Sequence, residues 1–198
     1  MSESAHWNER YQKGETPWDT GQPSGELQRV VAEDGIVPCR AVELGCGTGT
    51  NALWLAQQGF DVTGIDLARL AIEKARQKAT WAGVPIHFLV ADILNLPDLG
   101  KPFGFLLDRG CYHAVRRDNA ADYVQAIDRL LRPGGIGLIL AGNAREPHEP
   151  GPPVVSEEEI HREVGRVFTI RRLREFRFDP PPGTNERFLA WSCLFGKE

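Results

Sequence analysis

The chain has 198 residues, a formal net charge of −4 at pH 7, and 41% hydrophobic and 25% charged residues. That length suits a single globular domain with a sizeable core, and the small negative charge argues against broad attraction to nucleic acid or an anionic membrane. No apolar run approaches the ~20 residues of a membrane helix, no basic start leads into an apolar stretch as in a signal peptide, and the cysteines Cys39, Cys46, Cys111 and Cys193 form no C-x-x-C pair. The expectation is a reduced, cytoplasmic protein with free thiols, a monomer as its simplest assembly, and no metal, nucleic-acid or membrane partner.

Residues 4–13 read as a short helix with Trp7 and Tyr11 on one face, stopped by Gly14. The turn-forming segment Thr16-Pro17-Trp18-Asp19-Thr20-Gly21-Gln22-Pro23 follows. Ser24 then caps a helix to about Glu33 that turns Leu27, Val30 and Val31 inward. Residues 1–35 thus form an N-terminal helical lid on a domain covering residues 1–198.

Ala41 to Leu44 is an apolar strand that runs into Gly45-Cys46-Gly47-Thr48-Gly49, and a helix begins at Thr50 and ends at Gly59. Glycine permits positive φ and close approach of a ligand to the backbone, and the helix start offers unpaired N–H groups. The spacing is G-x-G-x-G; Thr50 stands where the dinucleotide fingerprint needs its third glycine. Glu43, one residue before the turn, suits a ligand with a cationic amine better than a pyrophosphate.

The alternation continues with a strand Asp61 to Ile65 delivering Asp66, a helix from about Ala68 to Ala82, a strand Ile86 to Val90 delivering Asp92, and a strand Phe103 to Leu107 delivering Asp108. The stretch Asp108-Arg109-Gly110-Cys111-Tyr112-His113 reads as a loop, followed by a helix from about Asn119 to Leu131. Arg132-Pro133-Gly134-Gly135 turns into a strand Ile136 to Ala141. Near the end, Glu149 to Pro153 reads as an extended loop and Ser156 with Glu159 as a capping box for a helix to about Gly165. Phe168 to Phe178 and Arg187 to Phe195 form an antiparallel hairpin joined by the proline-rich turn Asp179 to Thr184. Strand–helix alternation implies a parallel sheet with helices on both faces.

Ligands of such sheets bind beyond the carboxyl ends of the strands, which is where these acids fall. Asp66, 21 positions after Gly45, is spaced to accept from ribose hydroxyls, although an aspartate there also caps a helix. Asp92 with Ile93 suits the edge and face of an adenine. Asp108, Arg109 and His113 are the candidate catalytic groups, and Trp18, Cys111 and Tyr112 the candidate substrate pocket. Cys111 with His113 supplies too few ligands for zinc. The late arginines, among them Arg171, Arg172 and Arg174, read as a solvated face paired with acids.

Together these residues resemble the class I S-adenosylmethionine-dependent methyltransferases. The matching pieces are Val42 to Gly49, Gly64-Ile65-Asp66, Ala91-Asp92-Ile93 and Leu131 to Gly135, spanning most of residues 40–141. The resemblance implies a three-layer, Rossmann-like, seven-stranded α/β sheet, mostly parallel with an antiparallel last strand, in agreement with the terminal hairpin. A narrower resemblance, to the thiopurine methyltransferase-like group that includes halide, thiol and some heterocycle methyltransferases, rests on Trp7-Asn8-Glu9-Arg10-Tyr11, Thr16 to Pro23, and Gly151-Pro152-Pro153 before Ser156 to Ile160. It implies S-adenosyl-L-methionine as cofactor, with Glu43, Gly45 and Gly47 at its methionine part, Gly49 closing the turn, Asp66 at the ribose, Asp92 and Ile93 at the adenine, and Trp18 near the cofactor and the mouth of the site. The Asn/Asp-Pro-Pro-Tyr/Phe motif of nucleic-acid amino methylation is absent; Asp108-Arg109-Gly110-Cys111 stands there instead.

The expected reaction is methyl transfer to a small molecule, foremost a sulfur nucleophile. A thiol supplies some anion at neutral pH unaided, whereas a hydroxyl needs a general base, for which Asp108, Tyr112 and His113 are the candidates. The competing expectations are methylation at nitrogen or oxygen of an aromatic heterocycle, a non-catalytic cofactor-binding module and, more remotely, a nicotinamide dehydrogenase.

Overall fold

The structure is a computed structural model and describes residues 2–149, 151–181 and 183–198, with the side chain of Asp118 set aside. Met1 of the lid segment, Pro150 of the extended loop and Pro182 of the proline-rich turn lie outside the described residues.

The strands are β1 (Arg40–Leu44), β2 (Asp61–Asp66), β3 (His87–Val90), β4 (Phe103–Arg109), β5 (Leu131–Asn143), β6 (Val154–Val155), β7 (Thr169–Arg177) and β8 (Leu189–Gly196). The helices are α1 (Glu3–Lys13), α2 (Gly25–Glu33), α3 (Thr50–Gln57), α4 (Arg69–Ala82), α5 (Tyr112–Leu130) and α6 (Glu157–Glu163). Seven strands form one path, β3-β2-β1-β4-β5-β8-β7, and the two-residue β6, in a stretch where no strand is expected, pairs with the end of β5. β8 runs antiparallel to β5 and to β7, so the mostly parallel sheet with an antiparallel last strand holds. From β1 the chain builds outward through β2 and β3, then returns to place β4 on the other side of β1. The crevice between β1 and β4 is therefore the topological switch point, where ligands of open α/β sheets bind.

Most expected elements lie within a residue or two of their observed bounds, and the capping box at Ser156 and Glu159 is present. Three differ in substance. β4 extends through Asp108 and Arg109, so these are strand residues. α5 begins at Tyr112, seven residues before the expected Asn119, and only a local non-helical backbone at Asn119 marks the expected boundary. The cause is Asp108, whose carboxylate accepts from the backbone N–H groups of Cys111 and Tyr112 and so caps α5 from the preceding strand. Finally, Arg132 to Gly135 interrupt the β4–β5 register inside a longer β5 rather than preceding it.

Two hydrophobic clusters cover the two faces of the sheet. Ala41, Phe105 and Leu107 pack with α2, α3 and α4; Val42, Leu44 and Leu106 pack with α5 and α6. Side chains alternate along a strand, and Glu43 and Leu44 pair in register with Leu107 and Asp108. Glu43 and Arg109 thus share the α2/α3 face, while Asp108 points to the α5 face.

Candidate active site

The cleft at the switch point is lined by the glycine turn from Gly45 to Thr48, by Glu43, Thr50, Asn51 and Arg109, and by the N-terminal residues Tyr11, Trp18, Asp19, Thr20 and Gln22. Gly45 and Gly47 take φ of 61° and 53°, in the left-handed region where glycine is favoured. Close packing adds to this requirement. A Cβ on Gly45 would lie 2.8 Å from Cys111 Cβ, and one on Gly47 would lie 2.8 Å from the Tyr11 hydroxyl. The glycines therefore admit protein side chains as well as shaping the turn.

The N-terminal segment closes over the cleft as a roof. Trp18 stacks edge-on to Trp7 and Tyr11, Arg10 lies 4.3 Å from its ring centroid, and its Nε1 donates to the Tyr11 hydroxyl at 3.2 Å. Thr48 donates to Asp19 and accepts from Lys78, while Arg109 donates to the Trp18 carbonyl at 3.1 Å. Asn51 bonds both Ser24 and Glu43.

Glu43 is 2% exposed. Its Oε1 accepts from Asn51 Nδ2 at 3.0 Å, while its Oε2 is buried with no hydrogen-bond partner among the described residues. Desolvation raises its pKa to about 8, against the Asn51 bond and the nearby Ala52 N–H, which favour the charged form. An unpartnered buried carboxylate oxygen costs free energy unless a donor reaches it, and a cationic amine in the cleft is such a donor. Arg109 is a largely buried cation; desolvation lowers its pKa, and Asp179, Glu43 and Asp19 oppose that. Its guanidinium lies 5.2 Å from the Phe178 ring centroid, and among the described residues no carboxylate forms an ion pair with it.

The remaining candidates stand apart from this cleft. Asp66 is buried at the carboxyl end of β2, with Oδ2 accepting from Gly47 N and Oδ1 from Ala68 N, both at 2.8 Å. It pins the glycine turn to β2, and desolvation raises its pKa. Asp92 is exposed and caps a short 3-10 turn, Ile93–Asn95, while Ile93 packs in the α5-side core. Gly49 starts α3 with φ of 75°, and a Cβ there would crowd Phe88 and Ala75.

The Asp108 to His113 stretch is engaged by the fold. Asp108 is 0% exposed and accepts from Cys111 N, Tyr112 N and, at 2.7 Å, the Tyr123 hydroxyl. Burial raises its pKa to about 6 against those bonds. Tyr112 is fully buried on the α5 side and donates to Glu163 on α6, so it does not line the cleft. Cys111 packs on Gly45, and burial pushes its thiol well up. His113 Nδ1 accepts from Gly142 N at 2.9 Å, which assigns the proton of the neutral ring to Nε2. Burial and the nearby Arg109 and Arg117 lower its pKa to about 3. Sequence reasoning missed Tyr11, Asp19, Thr48 and Asn51 as cleft residues; the Thr-Gly-Thr-Asn run after the first two glycines was the available signal for the last two.

A family model described as "Thiopurine S-methyltransferase (TPMT)" matches residues 2–191. The chain belongs to that family. It is an S-adenosyl-L-methionine-dependent methyltransferase. A 2-heptyl-1-hydroxyquinolin-4(1H)-one methyltransferase of Mycobacteroides abscessus is 34% identical over 157 residues, 78% of this chain and 69% of that protein. A probable thiol methyltransferase 2 of Arabidopsis thaliana is 29% identical over 141 residues, 68% of this chain and 61% of that protein. A solved structure described as "Conversion of a Disulfide Bond into a Thioacetal Group during Echinomycin Biosynthesis" superposes with a TM-score of 0.85 at 27% identity, covering 100% of this chain and 93% of the other. Among the described residues, no helix is long and apolar enough to cross a membrane and no group of three or more His, Cys, Asp or Glu could hold a metal ion.

Proposed function

We propose that this methyltransferase acts on a small-molecule sulfur nucleophile, a thiol or a related soft anion. The observation that carries the reading is the contrast at the cleft: it holds Arg109, a cation with no carboxylate ion-pair partner among the described residues, while the Asp108, Tyr112 and His113 groups that would serve as a base are bonded within the fold. A site with a cation, whose one carboxylate with a free oxygen, Glu43, is assigned to the cofactor, favours an acceptor that arrives as an anion. Thiols meet that condition near neutral pH, with a pKa of ~8.5.

The residues present fit the cofactor, because Glu43 Oε2 is a buried acceptor lacking a donor. When bound, S-adenosyl-L-methionine supplies a methyl group already activated by its sulfonium. Glu43 would hold the ammonium of its methionine part beside Gly45 and Gly47, Asp66 the ribose through lone pairs not taken by Gly47 and Ala68, and Asp92 with Ile93 the adenine. Arg109 would orient and stabilise the incoming anion. Residues 1–35 would serve as the lid of a domain covering the whole chain, with Trp18 shutting out water; dryness strengthens each of these electrostatic contacts. Asp108 and His113 then act as positioning residues that fix β4 and α5, not as proton carriers. The probable thiol methyltransferase named above supports a sulfur acceptor.

Incubation with the cofactor and a panel of thiols, sulfide, heterocyclic hydroxyls and amines is the test, read as S-adenosylhomocysteine formed. Turnover concentrated in the sulfur compounds is expected; turnover only with RNA, protein, hydroxyl or amine acceptors would overturn it. The hydroxyquinolone methyltransferase at 34% identity favours a second reading, methylation at oxygen or nitrogen of an aromatic heterocycle. Its mark is turnover of the heterocycles and not of the thiols.

A further inference from the structure

Asn51 sits in the first turn of α3, between the lid and the buried carboxylate. Its Oδ1 accepts from the backbone N–H of Ser24 at 2.9 Å, and its Nδ2 donates to Glu43 Oε1 at 3.0 Å. The Ser24 bond decides the amide orientation. A backbone N–H can only be met by the carbonyl oxygen of the side chain, so the NH2 must face Glu43. With Oε1 already accepting from Asn51, Oε2 is the carboxylate oxygen that is buried and has no donor among the described residues. Ser24 is also the N-cap position of α2, at the end of the segment that roofs the cleft.

We propose that Asn51 is a positioning residue that aims Glu43 Oε2 at the ammonium group of the bound cofactor and takes its own orientation from the closed lid through Ser24. The proposal rests on the reading of Glu43 as the partner of that ammonium. It makes recognition of the amino-acid end of the cofactor depend on a residue that does not touch the cofactor's charge, and it ties that recognition to closure of residues 18–24. Asp66, read as the ribose partner, makes no hydrogen bond to Asn51 among the described residues.

Two nucleosides separate this role from a general structural one. S-adenosylhomocysteine carries the ammonium; 5′-methylthioadenosine lacks the whole amino-acid end. Titration calorimetry of the full chain with each, for wild type, Asn51→Ala and Asn51→Asp, is the experiment. Asn51→Asp keeps the size and the acceptor for Ser24 but loses the donor to Glu43, and it carries the test if Asn51→Ala does not fold. Affinity for S-adenosylhomocysteine is expected to fall about tenfold in both variants, with 5′-methylthioadenosine within about twofold of wild type. In a Glu43→Gln background, Asn51→Ala should add nothing further. Equal losses for both nucleosides, no loss for either, or a full further loss in the Glu43→Gln background would each overturn the proposal. Wild-type protein that binds neither nucleoside would instead remove the reading of the cleft on which it rests.

Discussion

Two regions at the carboxyl edge of the sheet lie side by side and use their polar groups in opposite ways. On the α5 face, Asp108, Tyr112, Tyr123 and His113 are buried and bonded to one another, to backbone or to Glu163. On the α2/α3 face, Glu43 keeps one buried oxygen free and Arg109 has no carboxylate partner among the described residues. The α5 side is richer in titratable side chains, yet its hydrogen-bonding capacity is spent on making α5 start where it does. Chemical capacity in this fold lies where polar groups are buried and unspent, since desolvation without a partner is tolerated where a ligand completes the set.

That contrast breaks most visibly at Asp108. Asp108→Ala leaves Tyr123, Cys111 N and Tyr112 N without their acceptor in the core. A cost of about 3–5 kcal/mol is expected, seen as a large drop in the urea midpoint or as failure to fold; a well-folded, catalytically dead variant would instead place Asp108 in the chemistry. At Arg109 the expected effect is on turnover. Arg109→Met should lower kcat/KM for an anionic acceptor by about a hundredfold, as loss of a stabilising charge does elsewhere, while S-adenosylhomocysteine affinity stays near wild type; unchanged turnover would contradict the assignment.

Glu43 offers a smaller effect with a definite sign. Its folded-state pKa is about 8 against an ordinary 4.5. Between those values the folded chain holds a proton that the unfolded chain has lost, so this group's contribution to stability declines as pH rises toward 8 and levels off above it. Asp108 changes in the same sense but only up to about pH 6, and His113 changes oppositely, losing stability as pH falls from 6.5 toward 3. The interval from pH 7 to 8 lies above both of those transitions and therefore reports chiefly on Glu43, faced there by Arg109 and Asp66. Urea midpoints at the two ends should fall in wild type more than in Glu43→Gln; parallel changes in both would deny the raised pKa. The smallest effect is expected at His113. His113→Gln keeps an acceptor for Gly142 N and should cost about 1 kcal/mol while leaving the pH–rate profile in place; a lost acidic limb would make His113 a base after all.

The fold was legible because its signals were local. Apolar runs ending in glycine or aspartate marked each parallel strand but the two-residue β6, and Ser156 with Glu159 marked a helix start by chemistry contained in four consecutive residues. The start of α5 was not legible, because its cap comes from Asp108, inside a strand and reaching forward, while Asn119 imitates a helix boundary. Glu43 and Arg109 were visible as residues, but their shared face follows from the β1–β4 register, which pairs Glu43 with Leu107. Asn51 was invisible because its meaning depends on Ser24, 27 positions away.

The central claim is that the acceptor arrives already ionised, at a site where no side chain is assigned to take its proton. The most direct measurement is kcat/KM against pH for a series of thiols of graded pKa at saturating S-adenosyl-L-methionine. The rise in rate is expected to move with each thiol's own pKa, following its thiolate fraction. A single rise at one pH shared by all acceptors, whatever their pKa, would mean that a group on the protein removes the proton, and would contradict the account.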